Sequence, residues 1–219
     1  MKTFKIIILL GKSGSGKGTQ AKLLKEKFNL EYIGSGDLLR KRAQKKDFTG
    51  KKILEIFNKG GLIPTPVILK LWLEKIEELK NKKNLRGIIM DGNPRKILEA
   101  YLIDEVFTYY EWSNKVKAIL VDISDKEATN RLLKRRICKK CKEIIPYVGE
   151  FKLLKKCHKC GGSLINRSDD TKKSVQKRLA WFKKDVQPII NYYKKKRILV
   201  EINGEKNIED VFKDVLKNV

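Results

Sequence analysis

The segment Lys5–Thr19, with the sequence KIIILLGKSGSGKGT, governs the architecture of this chain. Its apolar, β-branched first half shows no polar alternation, which predicts a strand buried on both faces of a parallel sheet. A glycine-rich turn follows, and apolar residues then recur at helical spacing. In this strand, turn and helix arrangement, backbone N–H groups and a helix N-terminus bind phosphate. The segment therefore predicts a phosphate-binding loop.

The turn fits the phosphate-binding pattern G-x-x-x-x-G-K-[ST] with one shift. Gly11, Gly16 and Lys17 stand at the required positions, but Gly18 follows the lysine, so the hydroxyl comes from Thr19. We expect Lys17 to contact the outer phosphates and the Thr19 hydroxyl to lie near a bound Mg²⁺. A plain Gly/Ser turn is the alternative, and the register of the glycines with the lysine argues against it. The expected phosphate-binding residues are Gly14, Ser15, Gly16, Lys17, Gly18 and Thr19.

The composition is that of a folded globular protein. The 219 residues suffice for one sizeable core and a small inserted unit, and 41% of them are hydrophobic. No apolar run approaches the ~20 residues that a membrane helix requires. The first residues lead directly into the first predicted strand and do not resemble a signal peptide. We therefore expect a cytoplasmic protein with no membrane partner.

The chain has a formal net charge of +25, from 51 Lys and Arg against 26 Asp and Glu. Such an excess is compatible with a nucleic-acid partner, with attraction of polyanionic nucleotides or with a lysine-rich solvated surface. The lysines are scattered from Lys2 to Lys217 and form no single block. This distribution favours the solvated surface, so nucleic acid is not an expected partner.

Four cysteines, Cys138, Cys141, Cys157 and Cys160, form two C-x-x-C pairs close together in the chain. Two such pairs can supply four thiolates in a tetrahedron around zinc, and a cytoplasmic location argues against disulfides. His158 lies within the second pair and is not an expected ligand, because four sulfurs already complete the shell. Unliganded buried thiols are the alternative to this structural zinc site.

Strands and helices alternate along the rest of the chain. The predicted strands span residues 5–10, 31–33, 87–91, 117–122 and 198–202. Capping residues predict helix starts at Thr65, Ser124 and Asn207, and a long helix is predicted to end near residue 196. Two short helices are predicted within 41–60. The predicted fold class is α/β, a five-stranded parallel sheet with helices on both faces.

Several motifs, spread over essentially the whole chain, resemble those of the adenylate kinases, which are nucleoside monophosphate kinases. The motifs are GKGT at 16–19, GSGD with its following arginine at 34–40, GGLI at 60–63, DGNPR at 91–95 and RSDD at 167–170. The resemblance implies a P-loop nucleotide-binding fold and reversible phosphoryl transfer from ATP to AMP, giving two ADP. Mg²⁺ bound with ATP is the implied cofactor, and we expect a monomer.

The resemblance also implies an acceptor site. Ser35 would touch AMP, Arg40 would bind its phosphate, and Arg95 would grip phosphate with its planar guanidinium. Backbone groups of the turn at 60–63 would meet the base, and Arg167 and Arg178 would bind the transferring or acceptor phosphates. The expected AMP-binding residues are Ser35, Gly36, Arg40, Gly61, Leu62, Ile63, Gly92, Asn93, Pro94, Arg95, Glu99, Arg167 and Arg178.

On the donor side, the resemblance implies that Arg131 and Arg135 reach ATP. Their spacing puts both on one face of a predicted helix. Lys206 belongs to a segment that resembles the loop over the donor adenine, and Asp91, at the end of a strand, is expected in the water shell of Mg²⁺. The expected catalytic residues are Lys17, Asp91, Arg95, Arg135, Arg167 and Arg178.

The resemblance divides the chain into three units. Residues 1–33, 64–133 and 172–219 would form the core, and residues 34–63 a helical acceptor-binding insertion. Residues 134–171 would form a lid, in which adenylate kinases of the long-lid type often carry the two cysteine pairs as a structural zinc staple. Such a staple stabilises a unit too small to build its own core.

The sequence departs from the family motifs at Ser35, Asn93 and Glu99, where adenylate kinases usually have threonine, phenylalanine and glutamine. A carboxylate only accepts hydrogen bonds, so Glu99 could take the two adjacent donors of guanine as well as the amino group of adenine. GMP is therefore an alternative acceptor. AMP remains the expected acceptor if the Glu99 side chain is protonated, bridged to the base by water or turned to solvent.

Two other classes of protein remain as alternatives. A hydrolytic NTPase needs a residue that positions water, and the sequence after Asp91 offers Gly-Asn-Pro-Arg instead. A zinc-ribbon nucleic-acid-binding NTPase would explain the charge and the cysteines. It would leave the ordered arginines unexplained.

Overall fold

The structure, a computed structural model, describes residues 5–59, 61–167 and 170–219. Gly60 of the predicted acceptor turn and Ser168 and Asp169 of the RSDD motif lie outside the described residues. The strands are β1 (Lys5–Leu10), β2 (Glu31–Gly34), β3 (Gly87–Asp91), β4 (Val116–Asp122), β5 (Arg136–Cys138), β6 (Ile144–Ile145), β7 (Leu164–Asn166) and β8 (Leu199–Asn203). The helices are α1 (Lys17–Phe28), α2 (Ser35–Ala43), α3 (Phe48–Asn58), α4 (Thr65–Lys80), α5 (Ile97–Tyr109), α6 (Asp125–Leu133), α7 (Lys172–Trp181), α8 (Gln187–Lys195) and α9 (Ile208–Leu216).

A five-stranded parallel sheet in the order β2-β3-β1-β4-β8 confirms the predicted fold class. The central strand β1 pairs with β3 on one side and β4 on the other, so the chain order reverses at β1. Parallel α/β sheets bind their ligands at such a switch point, beyond the carboxyl ends of the strands. The phosphate-binding loop leaves β1 at this point, and Asp91 ends the neighbouring strand.

Successive residues of β1 face opposite sides of the sheet, and both sides are covered. Ile6 and Ile8 pack with residues of α2, α3, α4, α5 and α8 in the larger core cluster. Ile7 and Leu9 pack with residues of α1 and α9 in the smaller one. All four side chains are buried, which explains why β1 is continuously apolar rather than alternating.

The cysteine pairs lie in a separate small sheet. Strands β5, β6 and β7 are antiparallel, in the order β6-β5-β7, with a short 3₁₀ helix (Gly149–Leu153) in the connection. An ion pair of 2.6 Å between Lys22 Nζ of α1 and a Glu143 carboxylate oxygen joins this sheet to the core. A small apolar cluster around Cys138, Ile145 and Cys157 holds the unit together.

The predicted caps are correct at two helices. Asn207 Oδ1 accepts from the Asp210 N–H at 2.8 Å at the start of α9. Ser124 Oγ accepts from the Glu127 N–H at 3.2 Å, although the Ser124 N–H donates to Glu205 rather than to Glu127. A π turn (Phe182–Val186) joins α7 and α8 into the predicted long helix.

Other local predictions are wrong. Thr65 is the first residue of α4 with Pro64 at the cap position, and its hydroxyl bonds to Glu99 instead of capping the helix. Helix α2 begins at Ser35, before the predicted range of 41–60. Since α6 ends at Leu133, Arg135 lies outside the helix face predicted to hold it. No helix in the described parts of the chain is long and apolar enough to cross a bilayer.

Candidate active site

The phosphate-binding loop has backbone angles that side chains rarely permit. Gly11 and Gly16 have φ values of 142° and 98°, and Gly16 occupies the cap position of α1. A Cβ at Gly11 would lie 2.3 Å from the Val121 carbonyl oxygen, so the loop can approach β4 only without a side chain there. Lys17 Nζ donates to the carbonyl oxygens of Gly11 and Lys12 at 2.7 and 2.8 Å. These bonds hold the ammonium over the loop.

Several cations surround Lys17. The pKa of the Lys17 ammonium is lowered to about 8, mainly by burial; Asp91 opposes the shift, and the nearby Arg95 and Arg135 add to it. Burial also lowers the pKa of the Arg95 guanidinium from its ordinary value. Positive side chains from three separate parts of the chain therefore meet at the carboxyl edge of the sheet, where an anion would relieve their repulsion.

Asp91 lies beside the first turn of α1. A Cβ built at Gly18 would be 3.6 Å from Asp91 Oδ2, so this carboxylate faces the residue that precedes Thr19. Tyr32 donates its hydroxyl to the same oxygen at 2.9 Å. Mg²⁺ sites use carboxylate oxygens of this kind, either as ligands or as hydrogen-bond acceptors for metal-bound water.

A pocket beside Arg95 contains most of the predicted acceptor residues. Its lining consists of Ser35, Leu39, Phe57, Gly61, Leu62, Ile63, Ile68, Gly92, Asn93, Arg95 and Glu99. Ser35 Oγ and Arg95 Nε both donate to the Gly92 carbonyl oxygen at 2.9 Å, which ties α2 to the segment after β3. The Arg95 guanidinium also lies 5.6 Å from the centre of the Trp181 ring.

Glu99 is inside this pocket rather than turned to solvent. Its side chain is 3% exposed. One carboxylate oxygen accepts from the Arg95 backbone N–H at 2.6 Å, and the other accepts from the Thr65 hydroxyl at 3.3 Å. Burial raises the pKa of Glu99 above its ordinary value, although these donors oppose the shift. The arrangement excludes a solvent-facing Glu99.

Asn93, the other departure within the DGNPR motif, is buried in the same pocket. It is 1% exposed, and the Asn93–Pro94 peptide bond is cis. The side-chain nitrogen of Asn93 has no hydrogen-bond partner within residues 5–59, 61–167 and 170–219. Asn93 and Glu99, two of the three departures from the family motifs, therefore line the same pocket.

Asp170 joins two of the predicted phosphate-binding arginines. Arg135 donates to its two carboxylate oxygens at 2.7 and 2.8 Å, and Arg178 donates at 2.8 Å. Asp170 is 8% exposed, so this is a largely buried network rather than a surface ion pair. Planar guanidinium groups held in this way have little freedom left to lose when they bind an anion.

Three other predicted residues, Arg40, Arg131 and Lys206, form ion pairs with acidic side chains. Arg40 pairs with Asp37 at 2.6 Å on the surface of α2, and its guanidinium lies over Gly36. Arg131 is buried and pairs with Glu127 at 2.6 Å. Lys206 pairs with Asp214 at 2.7 Å, and Arg167, the first residue of the RSDD motif, is half-buried.

The four cysteines converge in the small sheet. Their Sγ atoms all lie within 4.8 Å of one another, with 3.5 Å between Cys138 and Cys160 and 3.6 Å between Cys141 and Cys157. A tetrahedral zinc with Zn–S bonds of about 2.3 Å requires Sγ atoms about 3.8 Å apart. A backbone N–H from Cys141 is the largest cause that lowers the pKa of the Cys138 thiol. The pKa of the Cys141 thiol is raised, because a backbone hydrogen bond from Glu143, which lowers it, is outweighed by Cys160, burial and the other sulfurs.

A sequence model of the adenylate kinase family matches residues 9–198 of this chain. The adenylate kinase of Archaeoglobus fulgidus is 36% identical over 211 residues, which cover 95% of either chain. That of Caldicellulosiruptor bescii is 36% identical and covers 96% of this chain and 97% of its own. That of Chlamydia muridarum is 37% identical, with 96% and 85% covered. The chain belongs to the adenylate kinase family.

Membership confirms the resemblance drawn from the motifs and makes the chain a nucleoside monophosphate kinase, a phosphotransferase that acts between adenine nucleotides. Sequence reasoning missed three contacts at the site: Tyr32 on Asp91, Thr65 on Glu99, and Asp170 between two arginines. Only Asp170 had a signal, because its carboxylate belongs to the RSDD motif. The other two contacts depend on strand register and helix placement.

Binding of MgATP should be accompanied by proton uptake near pH 8. Because the pKa of Lys17 is about 8 in the nucleotide-free protein and phosphate raises it, about half a proton is expected at pH 8, less at pH 7 and more at pH 9. Calorimetric titration in two buffers of different protonation enthalpy measures the uptake. Lys25→Met, on the exposed side of α1, should keep it, and Lys17→Met should lose it. Equal uptake by both variants would contradict the assignment.

Proposed function

We propose that this adenylate kinase transfers the γ-phosphoryl group of ATP at the Lys17 loop to AMP in the pocket beside Arg95. The observation that carries the proposal is the position of Arg95. It lines the acceptor pocket and is near enough to Lys17 to lower the pKa of that ammonium. A donor phosphate at the loop and an acceptor phosphate at the pocket would meet at the same cations.

The proposed chemistry is positioning and charge neutralisation. Phosphoryl transfer spreads negative charge over the moving group and needs little covalent help from protein side chains. Lys17 binds the outer phosphates of ATP, and Arg95 binds the phosphate of AMP. Arg135 and Arg178, held by Asp170, bind the transferring group between them. Arg167, from the same segment, would join them.

Further contacts are proposed on both sides of the transfer. Backbone N–H groups between Gly14 and Thr19 bind the donor phosphates, because this segment contains the N-terminus of α1. Arg131 and Lys206 would bind the rest of ATP, and Arg40 the AMP phosphate. The residues around the pocket that would hold AMP are Ser35, Gly36, Gly61, Leu62, Ile63, Gly92, Asn93 and Pro94.

Asp91 and the Thr19 hydroxyl fit a Mg²⁺ ion that arrives with ATP. The Asp91 carboxylate lies next to the first turn of α1, which puts an acceptor for metal-bound water near the phosphates. When bound, Mg²⁺ neutralises charge on the β- and γ-phosphate oxygens. Asp91 also offsets the repulsion among Lys17 and Arg95.

The three units proposed from the sequence would divide the work. Residues 1–33, 64–133 and 172–219 form the core, residues 34–63 bind AMP, and residues 134–171 close over ATP. Closure excludes water, which would otherwise accept the phosphoryl group. The ion pair between Lys22 and Glu143 supports an approach of lid and core. This division makes transfer to AMP, rather than hydrolysis, the favoured reaction.

We also propose that the cysteine cluster binds structural zinc. The sulfur spacing fits a tetrahedral zinc, and a Cβ at Gly162 would lie 2.9 Å from Cys138 Sγ, so the knuckle closes tightly around the sulfurs. Metal-binding thiols belong in a reducing compartment, which supports the cytoplasm. We also propose a monomer, as the family resemblance implied, and no nucleic-acid partner, because the lysines are scattered along the chain.

Removal of the metal should lower the melting temperature without abolishing the core fold. The apolar cluster around the cysteines is small, so the metal supplies much of the lid's stability. Metal analysis of the purified protein should find about one zinc per chain. A chelator should lower the melting temperature of the wild type but not that of the Cys138→Ser/Cys141→Ser variant. A metal-free wild type with unchanged melting would contradict the proposal.

The acceptor base depends on the protonation of Glu99. Adenine offers a donor, its amino group, beside the N1 lone pair, so it needs an acceptor and a donor from the protein. A protonated carboxyl group supplies both, and the raised pKa of Glu99 supports that form. A charged Glu99 would instead suit the two donors of guanine. We propose AMP as the acceptor, with Glu99 protonated in the complex.

The KM for AMP should therefore rise with pH in the wild type, as Glu99 loses its proton, while the KM for GMP should fall. Glu99→Gln should remove both trends and bind AMP as well as the wild type or better, because the amide supplies the donor at every pH. Steady-state kinetics with AMP and GMP from about pH 5.5 to about pH 8.5 tests this.

Glu105→Gln is the matched control, because it makes the same change at an exposed position of the same helix. It should keep the pH trends of the wild type. A wild-type preference for GMP at neutral pH would overturn AMP as the acceptor. A large loss of AMP activity in Glu99→Gln would show that the carboxyl group does more than pair with the base.

A further inference from the structure

The Tyr32 side chain forms a hydrogen bond to the Asp91 carboxylate. Its hydroxyl donates to Asp91 Oδ2 at 2.9 Å. The two residues lie on adjacent parallel strands, β2 and β3, where Gly34 is paired with Asp91. Tyr32 precedes Gly34 by two residues, so both face the same side of the sheet. The tyrosine side chain therefore runs along its own strand toward the carboxyl edge.

Gly34 leaves the space that this side chain occupies. A Cβ at Gly34 would lie 2.6, 2.8 and 2.9 Å from three atoms at the hydroxyl end of Tyr32. Any side chain at this position would force the phenol away from its present place. Access of the Tyr32 hydroxyl to Asp91 thus depends on a glycine in the strand, although the backbone there is ordinary extended structure.

The chemistry of the pair fixes the direction of the hydrogen bond. Burial, followed by the negative charge of Asp91, raises the pKa of Tyr32 above its usual range, so the phenol keeps its proton. A carboxylate can only accept that proton. One donor on Oδ2 limits the rotation of the carboxylate, and Oδ1 keeps its lone pairs for other partners.

We propose that Tyr32 is a positioning residue that orients the Asp91 carboxylate toward the water shell of the Mg²⁺ ion bound with ATP. The inference rests on the role proposed above for Asp91. The ring of Tyr32 packs against the smaller core cluster, which is a structural contribution. The hydroxyl contributes through Asp91 alone. Tyr32→Phe separates these contributions, because it keeps the ring and removes only the donor.

Tyr32→Phe should lower kcat and raise the Mg²⁺ concentration needed for half-maximal activity, each by roughly three- to tenfold, which is the typical net effect of one lost hydrogen bond. The KM for AMP and the melting temperature should stay near the wild-type values. The matched control is Tyr192→Phe, which removes a similar hydrogen bond of 2.5 Å to Asp104, distant in sequence and lining no part of the acceptor pocket. It should leave kcat and the Mg²⁺ dependence unchanged.

A double-mutant cycle distinguishes this proposal from the role of Asp91 itself. Asp91→Asn alone should lose much more activity than Tyr32→Phe, and adding Tyr32→Phe to it should cause little further loss. Retained activity in Asp91→Asn would refute the proposed function of Asp91. If Asp91→Asn loses most of its activity but Tyr32→Phe keeps the kcat and Mg²⁺ dependence of the wild type, as Tyr192→Phe should, then only the inference about Tyr32 is refuted.

Gly34→Ala tests the same geometry without a mutation in Tyr32 or Asp91. The new methyl group should displace the phenol, so kcat and the Mg²⁺ dependence should change as in Tyr32→Phe while the protein stays folded. A folded Gly34→Ala variant with wild-type kcat and Mg²⁺ dependence would contradict the proposal, and so would additive losses in the cycle.

Discussion

The structure depends on holding like charges together at one edge of the sheet. Lys17, Arg95, Arg135 and Arg178 are close enough for their charges to affect one another, and burial lowers the pKa of Lys17 to about 8. Unpaired, such a cluster would open toward solvent. Asp170 fixes two of the arginines, and Asp91 offsets part of the charge near Lys17. Substrate phosphates would complete the neutralisation, which couples binding to the transfer geometry.

The parallel sheet supplies the frame for this cluster. Because β1 lies between β3 and β4, the loop after β1 and the segment after β3 leave the sheet side by side. The loop presents the N-terminus of α1, and the other segment presents Asp91 and Arg95. The pocket beside Arg95 forms where α2 meets that same segment, through the shared bonds to the Gly92 carbonyl oxygen. The proposed donor and acceptor sites are thus adjacent because the two strands are adjacent.

The sequence was sufficient for the sheet and for the motifs, because buried parallel strands are continuous apolar runs and phosphate loops need glycine at fixed positions. It was insufficient where a side chain chose a distant partner over a local one. The Thr65 hydroxyl bonds to Glu99, 34 positions away, instead of capping α4. Arg135 follows the end of α6 and bonds to Asp170, so its helical spacing from Arg131 had no structural meaning. Glu99 is buried for the same reason, because its carboxylate accepts hydrogen bonds from the distant Thr65 hydroxyl as well as from the nearby Arg95 N–H.

The central claim is that this site transfers a phosphoryl group to a nucleotide and not to water. The most direct test follows ³¹P resonances of wild-type protein with MgATP, with and without AMP. The account predicts that ADP forms only when AMP is present, with two ADP for each ATP consumed, and that release of inorganic phosphate is far slower. Inorganic phosphate produced at the same rate with and without AMP would contradict it.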